Sequence, residues 1–433
     1  MRLKSKYDRE ILRLALPALG ALAAEPLYVL VDTAIVGHLG RSQLAALGIA
    51  ATILTAVFAI FNFLQYGTTA QVARASGAGE REAAGRLGAQ ALWLSLAFGC
   101  VVAALTAAFA PGLVALIGGE GQTAEFAETY LRIAALGLPF AFLALGCSGY
   151  LRGLADLRTP LLIVVWANVA NVVLELLFVY GFDWGIAGSA WGTVLAQAGM
   201  GVAFVRAVWA AAAGHARPNL ALMGRLLTIG RHIFVRTTAL MASFVVVGAV
   251  AARLGDASLG AHQIAFQLWV FIALVLDSIA IAGQVIVGRT LGAGRSDEAY
   301  AASARMIWLS VALGGAFAAA MLLLADIVPR IFTGDSATLA QAAALWPLFA
   351  LMQPLNGAVF ALDGILIGAS DGRYLMWSML AAFASCTAVA LLALEAGWGI
   401  AGAWAALVVL ILVRLATLGL RFRRRRWLVT GWA

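Results

Sequence analysis

Acidic and amide side chains fall inside apolar stretches of this 433-residue chain, at spacings that could bind a cation. Asp32 lies deep in the first such stretch. Asn168, Asn171 and Glu175 lie at positions i, i+3 and i+7 of the fifth, which places them on one face of a helix. An ionisable group in hydrocarbon costs at least about 2.5 kcal/mol, so such groups are functional candidates. Their oxygens suit a proton or a hard cation.

The first apolar stretch combines a carboxyl group with a weak point in its helix. Asp32 follows Pro26 by six residues, and the missing N–H of a proline weakens a helix. We therefore expect Pro26 to act as a hinge beside an ion-binding Asp32. A structural role is the alternative, because a buried carboxyl can be held by hydrogen bonds and asparagines also join membrane helices.

The composition identifies the solvent in which these groups lie. Hydrophobic residues make up 63% of the chain and charged residues only 12%, against roughly a quarter charged in soluble domains. We predict an all-α integral membrane protein with twelve transmembrane helices, each long enough to cross about 30 Å of hydrocarbon. The predicted spans lie near 12–37, 44–71, 87–110, 125–147, 159–181, 185–209, 227–252, 259–288, 301–325, 339–367, 374–395 and 398–420.

The second half of the chain repeats the first at an offset of 215 residues, which falls to 214 near the end. Gly149 and Gly153 return as Gly364 and Gly368, and the segment 184–188 returns as 398–402. Six spans per repeat is an even number, so the repeats are parallel, as in secondary transporters that bind their substrate near the repeat interface.

This repeat predicts the domain organisation. Residues 1–210 form an N-terminal six-helix lobe, 211–226 a cytoplasmic linker, 227–420 a C-terminal six-helix lobe, and 421–433 a basic cytoplasmic tail.

The halves share a fold but differ in their charges. Asp32 corresponds to Val247 in the second half, and Asp277 corresponds to Asn62 in the first. Ion coupling is therefore expected to be unequal between them. The remaining ionisable residues that we place in spans are Glu25, Arg236 and Asp363, of which Arg236 and Asp363 join Asp277 and Asn168 as secondary site candidates.

The distribution of basic residues predicts the orientation. Most of the 29 Lys and Arg fall on the side of both termini, including the runs 4–6 and 423–426, whereas the loop 111–128 is acidic. Cytoplasmic loops are enriched in Lys and Arg, so we place both termini in the cytoplasm of a multi-pass protein of the inner or plasma membrane. The net charge of +8 fits an anionic lipid leaflet better than nucleic acid.

Several enzymatic and energy-coupling motifs are missing from the sequence. The only lysines are Lys4 and Lys6, so there is no phosphate-binding P-loop. The sequence has neither an HExxH nor a CxxC motif. We expect neither an enzyme nor a cofactor, because a membrane enzyme would need a nucleophile or a metal constellation.

Three segments of the chain resemble a known family. The run from Pro26 to Gly40, its weaker copy ending at Leu254-Gly255, and the segment from Asp277 to Gly294 resemble the multidrug and toxic compound extrusion (MATE) family, DinF-like branch. The resemblance covers nearly the whole chain. It implies two six-helix lobes in a V and drug extrusion driven by inward movement of protons or sodium ions.

The resemblance also implies an N-lobe site. The matching residues are Asp32, Asn171, Glu175 and Thr193, which would bind the coupling proton or a sodium ion. Glu175 departs from the pattern, since relatives often carry Asp there, and the longer side chain alters the ligand distances. Asp277 and Asp363 resemble C-lobe acids of the family more loosely.

We therefore predict a secondary antiporter that exports amphipathic organic cations or drugs, works as a monomer in lipid and binds no nucleic acid. The alternative is a lipid-linked precursor flippase of the same superfamily. Those proteins resemble fourteen-helix chains with a basic cavity, and we place Arg236 as the one basic residue within a span here.

Overall fold

The computed structural model describes residues 5–212 and 217–432, and within them it contains helices, turns and loops but no strand. The predicted linker 211–226 and the basic run 4–6 therefore lie partly outside the described residues. The α-helices are α1 (Asp8–Gly37), α2 (Arg41–Phe61), α3 (Phe63–Gly77), α4 (Arg81–Ile117), α5 (Gly121–Ala135), α6 (Leu138–Gly153), α7 (Arg158–Leu176), α8 (Gly185–Ala212), α9 (Leu220–Arg253), α10 (Asp256–Gly292), α11 (Ser296–Leu323), α12 (Val328–Phe332), α13 (Ser336–Leu351), α14 (Gln353–Gly368), α15 (Gly372–Glu395) and α16 (Gly399–Arg423).

The helices supply the predicted number of membrane spans. In the described residues, ten helical segments are long and apolar enough to cross a bilayer, and two bent helix pairs raise the number to twelve. The bends are 52° between α5 and α6 and 47° between α13 and α14. Pro139 and Pro354 open the second helix of each pair and are 215 residues apart, so the bend belongs to the repeat. The twelve-span, all-α prediction is confirmed.

The chain divides into two compact units. One is Gly20–Gly230, and the other joins Met1–Leu19 to Arg231–Ala433. This division differs from the lobes 1–210 and 227–420 of the sequence analysis, because the first part of α1 belongs to the C-terminal unit and the first part of α9 to the N-terminal unit.

The beginning of α1 is held in the C-terminal unit by charge and apolar burial. Arg305 donates two hydrogen bonds to Asp8, from Nε to Oδ1 at 2.7 Å and from Nη2 to Oδ2 at 2.8 Å. Glu10 forms an ion pair with Arg289. The buried side chains of this segment recur at helical spacing and are Ile11, Leu14, Ala15 and Ala18. A bidentate arginine–carboxylate pair is a geometrically specific contact.

The basic C-terminal segment also packs onto its unit. The indole of Trp427 is buried and donates a hydrogen bond from Nε1 to the carbonyl of Phe422 at 3.1 Å. The amide of Gly431 donates to the carbonyl of Leu291 on α10 at 3.0 Å. Residues 423–426 are exposed between the buried side chains of Phe422 and Trp427.

The close packing of two glycines in α6 explains why both recur in the second half of the chain. A Cβ on Gly149 would lie 2.7 Å from the carbonyl oxygen of Gln65, and one on Gly153 would lie 3.0 Å from that of Thr69. Both contacts are with α3, so the two helices approach backbone to backbone. Small residues permit such an approach in membranes.

The same contact recurs in the C-terminal unit. Gly364 lies against the carbonyl of Ala280, and a Cβ on Gly368 would lie 2.5 Å from the carbonyl oxygen of Gln284. These partners are on α10, at positions 215 residues after their counterparts in α3. Each unit thus contains one copy of this glycine pair at the same position of the repeat.

We expect Gly149→Leu and Gly364→Leu each to lower the apparent melting temperature in detergent, by an amount corresponding to roughly 1–3 kcal/mol, because the added atoms overlap a neighbouring backbone. Gly48→Leu is the matched control, since nothing lies within 4 Å of a Cβ at Gly48. Tryptophan fluorescence on heating measures all three. Equal melting of the three variants would contradict the packing role.

Candidate functional site

A pair of buried carboxyl groups lies in the unit Gly20–Gly230. Asp32 on α1 is 5% exposed and Glu175 in the last turn of α7 is fully buried. Their carboxyl groups are within hydrogen-bonding reach of each other. Ser189 Oγ donates its one hydroxyl hydrogen to Asp32 Oδ1 at 2.9 Å. Within the described residues, neither oxygen of Glu175 accepts a hydrogen bond.

A layer of hydroxyl and amide groups lies beside this carboxyl pair. Asn171 Nδ2 donates to Thr193 Oγ1 at 3.3 Å, and the hydroxyls of Tyr28 and Thr193 are hydrogen-bonded at 3.1 Å. The buried hydroxyl of Tyr130 is within reach of both Tyr28 and Thr193. Asn171 Oδ1 is buried and receives no hydrogen bond from the described part of the chain.

The structure thus brings together the four residues Asp32, Asn171, Glu175 and Thr193. Sequence reasoning missed three members of the cluster, namely Tyr28, Tyr130 and Ser189. A signal for two of them was present, because Tyr28 precedes Asp32 by four residues and Ser189 precedes Thr193 by four, the spacing of one helical face. No sequence pattern pointed to Tyr130, which α5 delivers from elsewhere in the chain.

Asn168 and Pro26 lie next to the cluster rather than in it. Asn168 Nδ2 donates to the carbonyl of Ala24 at 3.0 Å, which joins α7 to α1 two residues before Pro26. α1 is helical on both sides of Pro26. Asn168 therefore has the helix-joining contact that the sequence analysis gave as its alternative role.

Glycines on α8 bring the cluster together. A Cβ on Gly192 would lie 3.1 Å from the amide nitrogen of Glu175 and 3.2 Å from its Cα. A Cβ on Gly188 would lie 2.8 Å from the carbonyl carbon of Phe178. These two glycines flank Ser189, so the close approach of α8 to α7 carries its hydroxyl to the carboxyl pair.

The chain widens into one π-helical turn, Leu177–Gly181, directly after Glu175. Tyr180 in this turn donates from its hydroxyl to the carbonyl of Ile35 at 2.7 Å. π-Helical turns inside helices are frequent at functional sites. Here the turn fixes the end of α7 to the end of α1, with Asp32 and Glu175 just before the junction.

A cavity of about 380 Å³ adjoins the cluster. Tyr28, Asn171 and Thr193 line it and also belong to the hydrogen-bonded layer, so this layer is a wall between the cavity and the carboxyl pair. The volume falls in the range of small-molecule sites, roughly 300–1,000 Å³. The other lining residues with polar or aromatic side chains are Glu25, Thr55, Phe58, Asn62, Gln65, Tyr66, Ser148, Arg152, Asn168, Gln197 and Phe204.

In the C-terminal unit, Asp363 on α14 lies between two arginines. Arg236 Nη2 on α9 is 2.5 Å from Asp363 Oδ2, and Arg414 on α16 donates to the same oxygen. All three side chains are buried. The expectation that Arg236 was the one basic residue in a span is wrong: Arg414 was visible inside the apolar run 398–420 and was overlooked. Asp277 is half-buried on α10 and belongs to the other unit from Asp32.

This ion triad occupies the C-terminal counterpart of the cavity. At the repeat offsets, Arg236, Asp363 and Arg414 correspond to three residues that line the N-terminal cavity, namely Ala21, Ser148 and Met200. Conversely, the cluster residues Asp32, Asn171, Glu175 and Thr193 correspond to Val247, Cys386, Ala390 and Leu407. The two units share a fold, but each has its buried charged residues where the other has uncharged ones.

Twelve spans in two repeats, with a buried polar cluster beside a cavity, are typical of a multi-pass membrane transporter. The MatE family model matches residues 17–177 and again 233–392, one copy in each half. The chain belongs to the MATE family, on its DinF-like side.

Relatives support this assignment over nearly the whole chain. The chain is 30% identical to Protein DETOXIFICATION 44, chloroplastic, of Arabidopsis thaliana over 432 residues, which cover 95% of this chain and 81% of that protein. It is 28% identical to DNA damage-inducible protein F of Escherichia coli K12, covering 98% of this chain and 94% of the relative.

Solved structures share the fold. A MATE crystal structure in the bent conformation superposes with a TM-score of 0.90 at 20% identity, covering 97% of this chain and 96% of the other. An outward-facing MATE transporter of the MOP superfamily gives 0.86 at 21% identity, with the same coverage. These comparisons do not favour the flippase alternative.

We expect Asp363→Asn to destabilise the protein by about 3–5 kcal/mol, because it leaves two buried arginines without their carboxylate. Replacing all three residues, as Arg236→Met, Asp363→Leu and Arg414→Met, should recover most of that loss. Apparent melting temperatures in detergent compare the two variants with the wild type. An Asp363→Asn protein as stable as the wild type would show that Asp363 does not balance the arginines.

Proposed function

We propose that this transporter is a secondary antiporter that exports amphipathic organic cations in exchange for a proton or a sodium ion, with Asp32 and Glu175 as the coupling site. The observation that carries the proposal is a surplus of buried acceptor atoms. Both oxygens of Glu175 and Oδ1 of Asn171 are buried and accept no hydrogen bond within the described residues, and the carboxyl of Glu175 is within reach of that of Asp32. A bound cation would satisfy these acceptor atoms.

Both coupling ions fit this arrangement chemically. A proton shared between Asp32 and Glu175 would satisfy one oxygen of each and remove the repulsion of two like charges. A sodium ion would instead use oxygens of Asp32, Asn171, Glu175 and Thr193, since hard cations take carboxylate, amide and hydroxyl oxygens. The longer side chain of Glu175, compared with an aspartate, changes the distances at which its oxygens could reach a sodium ion.

The wall of Tyr28, Asn171 and Thr193 gives a route for coupling. An ion that binds Asp32 and Glu175 changes the charge next to residues that also line the cavity. Exchange requires the ion and the substrate to prefer different states of the protein. Pro26 lies in α1 between Glu25 of the cavity and Asp32 of the carboxyl pair, so bending of α1 at this residue would move one site relative to the other.

The cavity suits amphipathic small molecules. Tyr28, Phe58, Tyr66 and Phe204 supply aromatic surface, which attracts cations as well as apolar groups. The basic residues predict that both termini lie on the cytoplasmic side of the cell membrane. In that orientation α1 runs outward from Asp8, and Asp32 lies towards the outer end of its span. The coupling ion would then enter from outside and substrate would leave in that direction.

We expect purified protein in liposomes to take up ethidium, a fluorescent lipophilic cation, when either a pH gradient or a sodium gradient is imposed. Asp32→Asn and Glu175→Gln should reduce the gradient-driven part to the level of protein-free liposomes, because neither retains the carboxyl pair. The increase of ethidium fluorescence in vesicles loaded with nucleic acid measures the rate of uptake.

Glu120→Gln is the matched control, since Glu120 is exposed in the connection between α4 and α5. The gradient that drives uptake identifies the ion. Wild-type protein that responds to neither gradient, or Asp32→Asn protein with wild-type uptake, would contradict the proposal.

A further inference from the structure

We infer that Glu25 binds the positively charged group of the exported molecule, at a site separate from the Asp32–Glu175 pair. The inference rests on the proposed function and divides its two tasks between two acidic positions of α1. Glu25 lines the cavity, whereas Asp32 does not. Substrate and coupling ion would then each have a carboxyl group of their own.

Glu25 and Asp32 occupy one face of α1 at different depths. Ala21, Glu25, Tyr28 and Asp32 follow at helical spacings of three and four residues, so they lie in one row. Glu25 precedes Asp32 by two turns, or about 10 Å along the axis. The cavity covers the row as far as Tyr28 and stops there.

The wall keeps an organic cation from Asp32. Tyr28 and Asn171 are both hydrogen-bonded to Thr193, and Asp32 lies behind them at 5% exposure with a hydrogen bond from Ser189. A molecule with ring systems would have to break this layer to touch Asp32, whereas a proton or a sodium ion is small enough to pass between side chains. Size therefore separates the two ligands.

Charge also points to Glu25. It is the acidic residue among those that line the cavity, and no charged neighbour in the described residues interacts with it. A carboxylate in a membrane span is costly until a cation pairs with it, and a cationic ligand supplies that pairing.

The test separates equilibrium binding from ion-driven transport. Ethidium binding to purified protein is followed by fluorescence anisotropy, and uptake is followed in liposomes under the gradient that drives the wild type. The variants are Glu25→Gln, Glu25→Asp, Asp32→Asn and the loop control Glu120→Gln, each checked for its apparent melting temperature.

Glu25→Gln should weaken ethidium binding and raise KM by at least about tenfold, since it removes the carboxylate that pairs with the cation in the cavity. At saturating ethidium it should keep the wild-type kcat and the same gradient dependence. Glu25→Asp should keep part of the affinity. Asp32→Asn should show the opposite pattern, with gradient dependence lost and ethidium affinity within about threefold of the wild type.

Each remaining outcome overturns a definite statement. Wild-type affinity in Glu25→Gln would overturn the assignment of Glu25 and leave the antiport proposal intact. Loss of affinity in Asp32→Asn equal to that in Glu25→Gln would show one shared carboxyl site. Equal loss of affinity and of melting temperature in Glu25→Gln and Glu25→Asp would make Glu25 a structural residue. A wild type without a gradient response would instead overturn the antiport proposal.

Discussion

The free energy of two carboxyl groups in contact inside a membrane protein is the constraint on which this structure depends. Asp32 and Glu175 are buried within reach of each other, and Oδ1 of the nearby Asn171 is a further buried acceptor that receives no hydrogen bond from the described residues. Burial removes both groups from bulk water, so the repulsion of two negative charges there would be strong unless a cation lay between them. The fold must hold this unfavourable arrangement together, and a cation is what makes it favourable.

Close backbone packing is how the fold does so. Gly188 and Gly192 let α8 approach the end of α7, and the π-helical turn that follows Glu175 is tied to α1 through Tyr180 and Ile35. In lipid there is no hydrophobic force between helices, so packing and hydrogen bonds must supply the cohesion. The same helices carry Tyr28, Asn171 and Thr193, which form one wall of the cavity, so the cavity and the carboxyl pair share their supporting elements.

The sequence predicted the elements and part of the cluster for physical reasons that differ. The spans could be predicted because hydrocarbon requires long apolar runs. Asp32 and Glu175 could be predicted as site residues because charged residues are rare in such runs. The role of Tyr130 could not be predicted, since a tyrosine in a span is ordinary and the packing of α5 against α1 and α8 is not visible in the sequence. The grouping of Met1–Leu19 with the C-terminal unit depends on contacts such as Asp8 with Arg305, which are 297 residues apart.

The two repeats have the same fold but different buried charged residues, which indicates that the two units have different roles. Where the N-terminal unit has cavity-lining Ala21, Ser148 and Met200, the C-terminal unit has an arginine, an aspartate and an arginine that neutralise one another in part. An ion triad of this kind is costly to break, because loss of its carboxylate would leave two buried arginines facing each other. The carboxyl pair of the N-terminal unit has the opposite property, since binding a cation relieves it. Under the proposed coupling by Asp32 and Glu175, the exchange of side chains between equivalent positions provides one part that changes charge and one part that does not, within one fold.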